Sequence, residues 1–194
     1  MRAIESFSAV VGILIVAGLM CAAPVQAELR TNLGAANRAA VTTWVLDCYS
    51  AIKGKSKATV IARNIAETLA LNCALCDQPD NVLEKEMLLL NAGALVDGVW
   101  TGIKGTESYR DTLKGKRLYA VLAARTVAFL GKLILCNASP GNKFPGLLTN
   151  QICDVIAYNL EAKKCLSPKT LTVSALKLAY PLTLGVGVIV HMVL

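Results

Sequence analysis

Histidine is almost missing from this chain of 194 residues; the one that occurs, His191, stands close to the C-terminal end. Without a histidine in the body of the chain, Ser-His-Asp and Cys-His mechanisms have no general base, and the commonest zinc ligand is lacking. Most hydrolase classes fall away on that ground, and neither a metal nor a cofactor is expected. Acidic residues are also scarce, 13 against 20 Lys and Arg. They stand singly apart from Asp77 with Asp80 and Glu84 with Glu86, and no spacing argues for a catalytic carboxylate pair. Cys73-x-x-Cys76 has no second Cys-x-x-Cys to complete a four-cysteine zinc site. There is no internal repeat and no low-complexity tract. The sequence reads as a non-enzyme.

What the chain does have lies first at its two ends. Arg2 precedes an almost wholly apolar run, Ala9 to Ala23, and Val25-Gln26-Ala27 supplies the small residues of a signal-peptidase site. Residues 1–27 therefore read as a signal peptide, with a mature N-terminus at Glu28. At the other end, Leu178 to Leu194 is an apolar tail preceded by the polar segment Ser167 to Lys177. Spacer and tail together read as a glycosylphosphatidylinositol (GPI) anchor signal with Ser174 as the attachment residue. An uncleaved membrane helix and a buried core helix are the alternatives. The expected division is a signal peptide at 1–27, an extracellular six-cysteine domain at 28–168, and spacer plus tail at 169–194. That places the protein on the outer leaflet of the plasma membrane. Both apolar ends inflate the mean hydropathy of +0.53, which is therefore no evidence of several membrane spans.

In an oxidising compartment, the six cysteines left after signal removal, Cys48, Cys73, Cys76, Cys136, Cys153 and Cys165, are disulfide candidates whose pairing the sequence leaves open. Two basic clusters, Lys53/Lys55/Lys57 and Lys114/Lys116/Arg117, are candidates for contact with sulfated glycans on a host cell or with anionic headgroups. Nucleic acid is not an expected partner of a secreted, anchored protein. Asn137-Ala138-Ser139 is a glycosylation sequon.

Periodicity predicts a helix from Glu28 to Gly54 with Trp44 inward, a second from Ala58 to Cys76, and a third from Val82 to Gly102. Asp77 to Asn81 is a turn, and Lys104 to Arg117 is too charged for core. Between Arg117 and Asn137 two apolar runs flank Arg125-Thr126, a pattern shared by a buried helix and a strand pair. Asn137 to Gly146 reads as a loop, and Leu147 to Leu160 as a strand or a short helix.

Three stretches carry a family likeness: Leu46-Asp47-Cys48, Val96-Asp97-Gly98-Val99-Trp100-Thr101-Gly102, and Tyr119 to Cys136, with Gly146-Leu147-Leu148 to Cys153 after them. The stretch from Val96 to Gly102 is similar to the Val-Asp-x-x-Trp-x-Gly of the SAG surface antigens of Eimeria, six-cysteine GPI-anchored proteins, and the chain resembles that family in layout. The family's cysteine before that motif is absent here, as is the second cysteine of its strand pair. Cys76 and Cys165 have no counterparts, so no disulfide pairing carries over. The resemblance implies an α+β fold, an α/β/α sandwich related to the CAP superfamily. Its small antiparallel sheet would come from residues 117–137 and 147–158, with the three N-terminal helices packed on it. The histidines of the CAP site are missing, which suits a surface antigen working by display and attachment. An all-α disulfide-linked domain is the alternative fold, and a secreted helical lipid carrier the alternative function.

Overall fold

The computed structural model describes residues 28–75, 93–94, 96–138 and 143–179. The expected signal peptide, Cys76, the turn after it, Glu84, Glu86 and the tail from residue 180 lie outside the described residues. The structure is an antiparallel helical bundle. Helix α1 spans Glu28–Lys53, α2 Lys57–Leu75, α3 residues 96–104, α4 Gly115–Asn137, α5 Lys143–Glu161 and α6 residues 168–179.

The ends of these helices follow from local chemistry. Gly54 terminates α1 in the left-handed region, φ +89°, where its N–H donates to the Ser50 carbonyl at 3.0 Å. A Cβ there would also meet the Asp111 carbonyl oxygen at 2.6 Å. Ser56 and Thr59 cap α2 reciprocally: Thr59 N–H donates to Ser56 Oγ at 3.1 Å, and Ser56 N–H donates to Thr59 Oγ1 at 3.0 Å. Ser167 caps α6 in one direction, accepting from Thr170 N–H at 3.3 Å, with Pro168 at the first helical position.

The α/β/α sandwich is overturned. Among the described residues there is no strand, and the single β-bridge, Tyr109 to Ala162, is isolated. The expected strand pair is one unbroken 23-residue helix, α4, and the second sheet segment is α5. The physical reason is visible in α4. No turn residue separates its two apolar runs, and Ala120, Ala123, Ala124 and Ala128 favour helix, so Arg125 sits mid-helix. The loop predicted up to Gly146 ends sooner, because Pro145 lies in the first turn of α5, where a missing N–H costs nothing.

Helices α4 and α5 touch backbone to backbone. A Cβ on Gly146 would fall 2.7 Å from the Gly131 carbonyl oxygen, and one on Gly131 2.7 Å from the Asn150 amide nitrogen. Helix α1 packs on α2 and α4, and Trp44 stacks on Phe129 with centroids 5.1 Å apart while donating to Thr126 Oγ1 at 3.2 Å. The apolar interior is built largely from alanine, with Ala36, Ala39, Ala70, Ala128 and Ala157 buried. The connections 54–56, 105–114 and 162–167 gather at one end of the bundle. There Arg110 N–H donates to the Glu161 carbonyl at 3.0 Å and Lys163 N–H to the Ser108 carbonyl at 2.9 Å.

Candidate functional site

The middle of the bundle is ionic. Asp47 of α1, Arg63 and Glu67 of α2, Arg125 and Lys132 of α4, Asp154 and Glu161 of α5 and Lys177 of α6 are all buried. Asp154 is the hub: it accepts from Arg63 Nη2 at 2.5 Å, from Lys177 Nζ at 2.5 Å and from Arg125. Arg63 also donates to Asp47 Oδ1 at 3.0 Å and to Glu67. Arg125 Nη2 donates to Glu161 Oε2 at 2.7 Å, and Glu161 pairs with Lys55 at 2.8 Å. Lys132 and Lys177 approach Glu67 at 3.8 and 3.5 Å. Charges this far from water are tolerated only when each has partners. Here the cations, Lys55 included, exceed the carboxylates by one.

A second group adjoins the basic end. Asp97 accepts from the Tyr109 hydroxyl, pairs with Lys169 at 3.0 Å and lies 3.5 Å from the Tyr158 hydroxyl. Lys169 also sits 5.2 Å above the Tyr109 ring. Burial, with the Asp97 carboxylate beside it, pushes the Tyr109 phenol well above its ordinary value. Between the two groups runs a crevice lined by Lys55, Asn64, Asp97, Tyr109, Asp154 and Lys177, with a free volume of about 10 Å³. That is room for about one water.

The residues marked in the sequence fare unevenly. Lys53, Lys57, Lys114, Lys116 and Arg117 are exposed at the end where the three connections meet, joined there by Lys104, Lys163 and Lys164. Lys55 is drawn inward onto Glu161 and the Tyr109 ring. Among the disulfide candidates, Cys48, Cys136, Cys153 and Cys165 are free thiols, and Cys73 packs against the apolar cluster that holds Cys136. The Asn137 amide, at the last residue of α4, donates to the Leu133 carbonyl at 2.7 Å and to Asn37 Oδ1 at 3.1 Å. Ser174 lies within α6, where its hydroxyl accepts from Asn159 Nδ2 at 3.0 Å.

Comparison with protein-family models, curated proteins and solved structures finds no match for this chain. The site therefore rests on its own geometry; of its members the sequence marks only Lys55 as a candidate contact residue, while Asp47, Asp97, Arg125 and Lys177 are named there without a site role. Their signal was a charge standing alone in an apolar helix, repeated at same-face spacing: Arg63 with Glu67, Arg125 with Lys132, Asp154 with Glu161.

Proposed function

We propose that this is a membrane-held cell-surface protein that works by contact and display, with no chemistry of its own. The observation that carries the reading is the closed ionic interior. Arg63, Arg125, Asp154 and Glu161 spend their donors and acceptors on one another, and the crevice beside them has space for about one water. A group locked in this way positions helices and offers a substrate no reactive atom. The contact surface is the basic end, where Lys53, Lys57, Lys114, Lys116 and Arg117 present a positive field suited to sulfated or other anionic glycans.

The attachment is better assigned to the polypeptide than to a lipid at Ser174. Cleavage after Ser174 would remove Lys177, and with it a cation that Asp154 and Glu67 face in the interior. The lipid-carrier alternative requires an apolar cavity, whereas the crevice between the helices is small and lined mainly by charged and polar side chains.

Two treatments of intact cells test the reading. Anchor-specific phospholipase is expected to leave the protein on the membrane. A membrane-impermeant amine reagent is expected to label Lys114 and Lys116, and labelling only after permeabilisation would overturn outward contact through the basic end.

A further inference from the structure

The bundle buries its ionic cluster and many small residues beside a few large apolar ones such as Leu71, Leu135 and Leu147, while many other large apolar side chains stand on the outside, unlike the usual water-soluble helical domain. Ile65, Leu130, Ile134, Ile152, Ile156 and Leu171 point outward from four different helices, and their exposures range from 41% to 57%. Val41, Val45, Tyr49 and Ile52 extend the same coat along α1. Large apolar side chains exposed on five helices are more than the scattered single exposures that need no explanation in a soluble monomer.

Three further observations say what covers them. First, the helices meet through Gly131, Gly146 and the buried alanines, and are tied by polar side chains; without a hydrophobic force between helices, small residues and interhelical polar contacts carry association. Second, α1, α2, α4 and α5 are 26, 19, 23 and 19 residues long, and about 20 residues cross the hydrocarbon of a bilayer. Helix α4 is the one described helix that is both long and apolar enough to cross a membrane by length and composition, the mean hydropathy of its most apolar 18-residue window being 1.7. Third, between residues 34 and 179, among the side chains whose exposure is described, every exposed charged one except Arg38 lies at the end that carries Lys53, Lys104, Lys116 and Lys163, which is where headgroups would stand.

We infer that the apolar coat of the bundle faces the hydrocarbon of a lipid bilayer, with the basic end at the level of the headgroups. The ionic cluster then lies at membrane depth, paired inside the bundle as intramembrane charges must be. The inference rests on the membrane-held reading above and specifies that the bundle itself is the embedded part.

The test uses the full chain reconstituted in vesicles of phosphatidylcholine and phosphatidylglycerol, some carrying dibrominated acyl chains. The chain has two tryptophans, Trp44 inside the bundle and Trp100 beside Ser108 at the basic end, so Trp44→Phe with Trp100→Phe clears the background and Ile156→Trp places one reporter on the coat. Strong quenching by the brominated lipid and retention after an alkaline carbonate wash are expected. Ile134→Asp, which puts a charge on the coat, is expected to abolish that retention. Carbonate-resistant protein without quenching would mean that the tail alone is anchored, overturning the embedded bundle while leaving the membrane-held reading intact. A soluble oligomer formed without lipid would show that a second copy covers the coat, and would overturn both.

Discussion

The hub of the ionic cluster gives the sharpest test of the fold. Asp154→Asn keeps the volume of the side chain and removes one charge, stranding Arg63, Arg125 and Lys177 around a neutral amide in a site where the side chain is 1% exposed. Removing one partner of a buried ion pair typically costs about 3–5 kcal/mol, because the remaining charge has nowhere to go. Against a total stability of about 5–15 kcal/mol, that is about a fifth or more of what holds the bundle together. The control is the exposed pair Lys163 to Asp111, 3.5 Å apart, with side chains 46% and 91% exposed. Asp111→Asn is expected to cost no more than about 1 kcal/mol. Adding Lys177→Met to Asp154→Asn restores the single-cation surplus of the natural cluster, and is expected to regain at least about 1 kcal/mol as a coupling between neighbours. Equilibrium unfolding of the three variants in detergent micelles, followed by circular dichroism, measures all of these. Asp154→Asn costing no more than Asp111→Asn would refute the argument that the cluster organises the helices.

Other perturbations separate packing from backbone effects. Gly146→Val forces α5 off α4, since even a Cβ would sit 2.5 Å from the Leu135 amide nitrogen; a loss of about 3 kcal/mol or more is expected in the same unfolding assay. Gly102→Ala, with nothing within 4 Å of its Cβ in a helical position, is expected to gain up to about 1 kcal/mol. Tyr109 predicts an alkaline limit. Its folded pKa is raised, so its contribution is complete below the ordinary phenol value of about 10 and is lost as pH rises beyond it, where the unfolded chain ionises first. Unfolding free energy measured from pH 8 to 11 is expected to fall above pH 10, with a shallower slope in Tyr109→Phe. Deleting residues 175–194 is expected to destabilise the remaining chain by about 3 kcal/mol through the loss of Lys177, whereas a chain cut after residue 179 keeps that contact.

Helix spacing was legible where the helices are punctuated. The α1 boundary at Gly54 and the α2 start near Lys57 follow from a left-handed glycine and a Ser56–Thr59 cap, both local and both visible in the sequence. The stretch from Arg117 to Asn137 was not legible from periodicity, because short apolar runs around Arg125 satisfy a strand pair as well as a helix; the alanines at 120, 123, 124 and 128 and the lack of a turn residue between the runs are what decide. The resemblance to a sheet-containing family tips the balance toward strands that are not there. The basic clusters lie at helix ends and connections, as their composition indicates, except that Lys55 is spent on Glu161.

The direction in which each helix faces is a different matter, and it is where ordinary reasoning inverts. A period of 3.6 identifies a stripe of Ile61, Ile65, Leu69 and Cys73 on α2, and the habitual assumption turns such a stripe toward the core. In the structure Ile65 and Leu69 are exposed, while Arg63 and Glu67, on the opposite face, are buried. The same reversal occurs on α4, where Leu130 and Ile134 face out and Arg125 and Lys132 face in, and on α5, where Ile152 and Ile156 face out and Asp154 and Glu161 face in. One inverted helix would be a local oddity. Three that invert together, with their charges meeting at Asp154, mean that the medium around the bundle is apolar, since in water each helix would lower its free energy by turning over. The charges are therefore the ordering element: interchangeable apolar residues around the outside leave helix rotation unspecified, and the four- and seven-residue spacing of the buried ions sets it.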